Sequence, residues 1–192
     1  TVTFLGLTSI AIFALGAFAF NADIIDKLSA NANNPDDSLD WLYNLSLPLA
    51  SSLLATQLFH ELGHIIVAAK DGINIGMPTL IPGFQFGLTG GITPIKSSPK
   101  NMKSLFDFAI AGPICGLVAS MVLLYTGLEM TAFMDASALE QLPTVPVEIL
   151  RSSALGGGLI DYLLGDGVLN SPDETQLIKR HPYAISGFSG LV

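Results

Sequence analysis

Three residues of this chain have the types and spacing to do chemistry together: His60, Glu61 and His64, in the run Phe59-His60-Glu61-Leu62-Gly63-His64. Histidines at positions i and i+4 of a helix project to one face, one turn apart. Two imidazoles so placed can hold one zinc ion in the tetrahedral nitrogen–oxygen geometry that it favours. The carboxylate between them can reach a zinc-activated water, whose pKa the metal lowers toward neutrality. Water deprotonated there can attack a peptide carbonyl, and the protonated acid can then donate to the leaving amine.

Two soluble zinc-protease patterns fail beyond the second histidine. One continues with Gly and His at fixed positions, which here are Val67 and Lys70. The other takes a downstream Glu, and the nearest, Glu129, lies at the far end of the next long apolar run.

The helix that positions the triplet is itself unusual. Leu45 to Ala69 is otherwise apolar, with Pro48 read near its start, where a helix tolerates proline. Three ionisable groups inside such a segment cost several kcal/mol in a bilayer unless they are paired or metal-bound. Function is therefore the default reading, and the plainer alternative is a helix end at the interface with polar groups bonded to one another.

The rest of the chain fits a polytopic membrane protein. Half of the 192 residues are hydrophobic and 12% are charged, about half the charged share of a soluble domain. Apolar runs long enough to span are read at about 3–20, 45–69 and 105–128. The first has neither the basic start nor the short core of a signal peptide. Acidic loops occupy 21–44 and 129–148. Residues 73–104 recur in Gly and Pro between short β-branched pieces, which predicts short strands or a hairpin in a β or re-entrant insert. Residues 149–169 carry Arg151, Asp161, Asp166 and three successive glycines, and read as interfacial or re-entrant. A further span is expected to begin at about 182. The fold class is thus an all-α polytopic membrane protein of three to four or more spans. It forms one membrane-embedded core over 1–192, expected to be cut short at its C-terminus.

Lys70, Lys96, Lys100 and Lys103 cluster between the second and third spans, which places that segment on the cytoplasmic or stromal side. A net charge of −8 without a Lys/Arg stripe argues against nucleic acid as a partner. Cys115 is the single cysteine, so no intrachain disulfide is possible.

Several residues have plainer readings. Gln57, one turn before Glu61, could orient it, but reads first as an interhelical hydrogen bonder. Gly112 and Gly116 read as a helix-packing face. Asp107 reads as a helix N-terminal charge, and His181, beside Lys179 and Arg180, as an interfacial cation.

His60–His64 within an apolar helix resembles the site-2 protease family of intramembrane zinc proteases. Ile81-Pro-Gly-Phe-Gln-Phe-Gly, Gly91-Ile-Thr-Pro-Ile, Ala109-Ile-Ala-Gly-Pro113 and the stretch from Gly156 to Gly167 are similar to its chloroplast and cyanobacterial branch, which includes the ethylene-dependent gravitropism-deficient and yellow-green proteases. The similarity covers roughly residues 45–192. It implies one Zn2+, with His60 and His64 as ligands and Glu61 as catalytic residue. It implies a third ligand, an Asp in a Leu-Asp-Gly motif, which is absent here and expected beyond Val192. Asp161 and Asp166 are the substitutes within the chain. Asp166, in Gly165-Asp166-Gly167, imitates the motif, but its preceding residues differ and the topology puts it across the membrane from His60. The resemblance also implies that the strand region from Met77 to Ile95 clamps an extended substrate.

The expected activity is zinc-dependent endoproteolysis of transmembrane or membrane-adjacent segments of a membrane-protein substrate. The expected location is a chloroplast membrane, thylakoid or envelope, with a cyanobacterial membrane as alternative. The alternative function is a catalytically silent relative acting as a membrane chaperone or assembly factor. A metal transporter is a third reading, disfavoured because the first and third spans carry almost no polar groups.

Overall fold

The computed structural model describes residues 40–83, 87–139, 142, 144–151, 153–164 and 177–191, together with Thr8, Asp26 and Ser29. The expected span at 3–20, apart from Thr8, lies outside the described residues, as does Asp166.

Helix α1 (Asp40–Asp71) carries His60, Glu61 and His64. It begins five residues before the expected span at Leu45, so Pro48 sits inside the helix rather than at its start. The hydroxyl of Ser52 donates to the Pro48 carbonyl at 2.7 Å and to that of Leu49 at 3.0 Å. At the other end the helix stops with Gly72 at φ 69°, and the Ile73 amide donates back to the Ala68 carbonyl at 2.9 Å. That left-handed glycine cap brings Ile73 onto Ala68, and both pack against Phe108.

An antiparallel ribbon follows. Gly76 N donates to Pro94 O and Lys96 N to Asn74 O, each at 2.7 Å. Beyond them β1 (Thr79–Gly83) pairs with β2 (Gly87–Ile92), with Thr79 opposite Ile92 and a register shift after Ile81.

Helix α2 (Met102–Ala132) opens on Asn101, whose side-chain oxygen accepts from Ser104 N at 2.8 Å. Ser104 Oγ in turn donates to Asp71 Oδ2 at 2.6 Å, joining the end of α1 to the start of α2. Asp107 lies past the first turn and pairs with Lys103 at 2.6 Å, so it is an i,i+4 ion-pair partner rather than a helix-terminal charge.

Helix α2 buries small residues beside Phe108, Leu124 and Leu128 and exposes large apolar ones. Ser104, Gly112, Gly116, Ser120 and Gly127 lie on the buried stripe. Phe106, Ile114, Val118 and Val122 are outward, Phe106 with 62% of its surface exposed. Small residues inside let helix backbones approach closely, and large apolar ones outside suit lipid. Among the described residues, α2 is the one helix long and apolar enough to cross a membrane by length and composition. Helix α1 buries Ser46, Ser52 and Glu61 beside Leu49 and Ala68 and exposes Leu58, Phe59, Leu62 and Ile66.

After α2 come the short helix α3 (Ala136–Leu139), strand β3 (Thr144–Pro146), and helices α4 (Val147–Arg151) and α5 (Ala154–Leu164). Strand β4 (Leu177–Lys179) pairs antiparallel with β3. Strand β3 falls within the acidic loop expected at 129–148; three residues are too few to show a strand period. Helix α5, at 11 residues, is too short to span.

Helix α6 (Pro182–Ser189) lies across α1 and α2. Gly127 and Gly187 make that contact possible: a methyl on Gly127 would sit 2.7 Å from Ala184 Cα, and one on Gly187 2.8 Å from Leu124 Cα. Leu124, Leu128, Val147, Leu150, Ile160, Ala184 and Phe188 form the core at this end. The described residues are therefore mostly helical, with four short strands in two separate pairs.

Candidate metal centre

One helical turn brings the two imidazoles of α1 together. His60 Nε2 and His64 Nε2 lie 3.2 Å apart, with ring centroids 5.0 Å apart and planes at 66°. His64 Nδ1 is 2.9 Å from the Phe108 carbonyl oxygen on α2. A carbonyl can only accept, so Nδ1 carries the proton and Nε2 presents a lone pair toward His60. Backbone bonding of this kind fixes the tautomer and orientation of a metal-ligating imidazole.

Two nitrogens that close need a proton or a cation between them. Ligand atoms on a tetrahedral zinc, at Zn–N about 2.05 Å, stand about 3.3 Å apart. The observed pair therefore fits two corners of one zinc site. Among the described residues, no group of three or more His, Cys, Asp and Glu could hold a metal.

The imidazoles occupy space left by glycines of α2. A Cβ on Gly112 would collide with His64 Nε2 and lie 2.6 Å from its Cδ2, and one on Gly116 would lie 3.2 Å from His60 Nδ1. Helix–helix approach itself is made at Gly63 of α1, where a Cβ would collide with the Ala111 carbonyl oxygen. Gly112 and Gly116 thus make room for the histidine rings, a more specific role than the packing face expected from their spacing.

Glu61 is 5% exposed and points to the ribbon. Gln57 Nε2 donates to Glu61 Oε1 at 2.9 Å. The Thr93 hydroxyl, just past β2, donates to Oε2. Gly91 lies so close that a Cβ there would collide with Oε1 and sit 2.6 Å from Gln57 Nε2. Gln57 therefore bonds within its own helix to Glu61, not between helices, because i and i+4 share a face. Sequence reading missed Thr93: the contact spans 32 positions, and no local pattern announces it.

Beside His60 a cavity of about 500 Å³ opens between α1, α2, α6 and β2, lined in part by Leu53, Gln57, His60, Gly90, Leu117 and Ser189.

His181 lies elsewhere. It caps α6, its Nδ1 accepting from Tyr183 N at 3.2 Å, while its own amide donates to Thr131 Oγ1 at 3.0 Å. Burial holds this imidazole below its ordinary pKa, so it is a neutral cap rather than the expected interfacial cation.

Residues 48–186 match the family described as peptidase family M50. The chain belongs to peptidase family M50, the site-2 protease family. It is 31% identical over 164 residues to the probable zinc metalloprotease EGY1, chloroplastic, of Oryza sativa subsp. japonica, covering 84% of this chain and 27% of that protein. It is 30% identical over 186 residues to the probable zinc metalloprotease EGY2, chloroplastic, of Arabidopsis thaliana, covering 94% of this chain and 32% of that one. A 71-residue stretch is 38% identical to the putative zinc metalloprotease Rip3 of Mycobacterium tuberculosis strain H37Rv, covering 37% of this chain and 16% of that one. The chain thus spans about a third of the length of the chloroplastic relatives it matches. No solved structure matches it significantly. Membership of this M50 family implies zinc as the cofactor.

Proposed function

We propose that this chain is the catalytic core of a zinc-dependent intramembrane endopeptidase that cuts transmembrane or membrane-adjacent segments of other proteins. The observation that carries this reading is the pair of Nε2 atoms 3.2 Å apart, beside a buried glutamate, on a helix whose outward face is apolar. Zinc bound at His60 and His64 supplies a Lewis acid that makes water acidic enough to ionise near neutral pH. Glu61 takes the proton of the attacking water and returns it to the leaving amide nitrogen. The third protein ligand in this reading is an aspartate, for which Asp166 is a candidate within the chain.

Both α1 and α2 cross the bilayer in this reading. The exposed Lys70, Lys96, Lys100 and Lys103 mark the side nearer the metal turn as stromal or cytoplasmic. The cavity beside His60 receives an unwound stretch of substrate, because helical carbonyls are shielded by their own hydrogen bonds. The edge of the β1–β2 ribbon offers the backbone donors and acceptors to pair with it. The names of the plant relatives favour a chloroplast membrane as the location.

Reconstituted full-length protein and its Glu61→Gln variant, mixed with reporter proteins that each carry one transmembrane helix, test this reading. Cleavage by the wild type and none by the variant is expected. Equal cleavage by both would overturn it.

A further inference from the structure

The Glu61 carboxylate is held from two different elements. Gln57, on α1, donates to Oε1 at 2.9 Å, and Thr93, just past β2, donates to Oε2. One donor moves with the helix that carries the imidazoles. The other moves with the ribbon, whose backbone at Gly91 lies against the same carboxylate and carboxamide. The seating of the ribbon therefore sets the plane of the carboxylate relative to His60 and His64.

We propose that Gln57 and Thr93 are positioning residues that orient Glu61 for proton transfer, with Thr93 making that orientation depend on how β2 is seated. The proposal rests on the reading of Glu61 as the proton-carrying group. It deepens that reading in one respect: the base is aligned when the ribbon is in place. A substrate strand paired to the ribbon thus acts on the same element that aligns the base. Gly91 is the residue that lets the strand come this close, since any Cβ there would strike Oε1.

The test uses the full-length protein, the same transmembrane reporters, and the variants Gln57→Leu, Thr93→Val, Thr93→Ser and Glu61→Gln. Zinc content and amide hydrogen exchange of residues 87–93 are measured beside cleavage. Thr93→Val and Gln57→Leu are expected to lower kcat about 10- to 100-fold, the range for loss of a bond supporting a metal site, with KM and zinc content unchanged. Thr93→Ser, which keeps the hydroxyl, should restore kcat. Exchange at residues 87–93 should rise in Thr93→Val and not in Gln57→Leu. Wild-type kcat in both Thr93→Val and Gln57→Leu, with Glu61→Gln inactive, would overturn the positioning role and leave the base reading intact. Activity in Glu61→Gln would remove both. Loss of zinc or of the fold in Thr93→Val, or a Thr93→Ser variant no better than Thr93→Val, would make Thr93 a structural prop and overturn its positioning role.

Discussion

Thr93 and Glu61 are 32 positions apart in sequence and share a hydrogen bond, so the ribbon between α1 and α2 is fastened at the metal turn. The contact gives Gly91, near the end of β2, and Thr93, just past it, distinct roles: the glycine admits the carboxylate and the threonine binds it. Gly91→Ala should push β2 away from Glu61. Misplacement of a reacting group by about 1 Å costs about 100-fold in rate. Cleavage is expected to fall by about that factor while zinc content stays at the wild-type level. Full activity in this variant would show that the ribbon seats elsewhere.

Gly112 carries a prediction about metal affinity. A methyl there would meet His64 Nε2, the atom that faces His60, and turn the ring off its axis. Zinc affinity should drop about 10- to 100-fold, as for loss of a group that orients a ligand. Gly116→Ala should cost less, because its methyl would stand 3.2 Å from His60 Nδ1. Gly158→Ala is the control: nothing lies within 4 Å of its added methyl. Zinc titration by competition with a chelator ranks the three.

The contact of α6 with α2 gives a stability prediction. Gly187→Ala and Gly127→Ala each insert a methyl against backbone that has no room to give. Overpacking of this kind costs about 1–3 kcal/mol. Both variants should lower the thermal midpoint in detergent, and Gly158→Ala should not.

His181 makes the cap of α6 sensitive to acid. Burial lowers its folded pKa below the ordinary 6.5, and its Nδ1 must stay unprotonated to accept from Tyr183 N. Below 6.5 the unfolded chain takes up a proton that the folded chain still refuses. Stability contributed here is therefore present above 6.5 and declines as pH falls from that value toward the lower folded pKa. His181→Asn keeps a capping side chain that does not titrate. The difference in thermal midpoint between wild type and this variant should shift in favour of the variant as pH is lowered through 6.5. A difference constant with pH would contradict the assignment.

How much of this was legible in the sequence depends on distance along the chain. The His60–His64 pair is local, one turn of one helix, and its spacing predicted the adjacent imidazoles. The long helices were read from apolar runs, and their ends differ by a few residues because caps and not hydropathy stop them. Leu45 is apolar, yet α1 starts at Asp40; Ala69 is the last apolar residue, yet Gly72 is the cap. The glycines of α2 were visible, but what fills them was not: small residues at that spacing suit a facing backbone as well as a facing imidazole. Gln57 was visible one turn from Glu61, and choosing its partner required the position of the ribbon. Thr93 and the Phe108 carbonyl were out of reach, since both act across the space between elements. Strands β3 and β4 are three residues each, too short for any period to emerge.

The most direct test is the zinc environment of the purified full-length protein, measured by X-ray absorption together with metal stoichiometry, in wild type, His60→Ala and His64→Ala. One zinc per chain is predicted, with two imidazole nitrogens in its coordination shell in the wild type and a loss of that zinc in each variant. Zinc that stays bound at full stoichiometry in both variants, or a shell without imidazole, would contradict the assignment of the metal to this turn of α1.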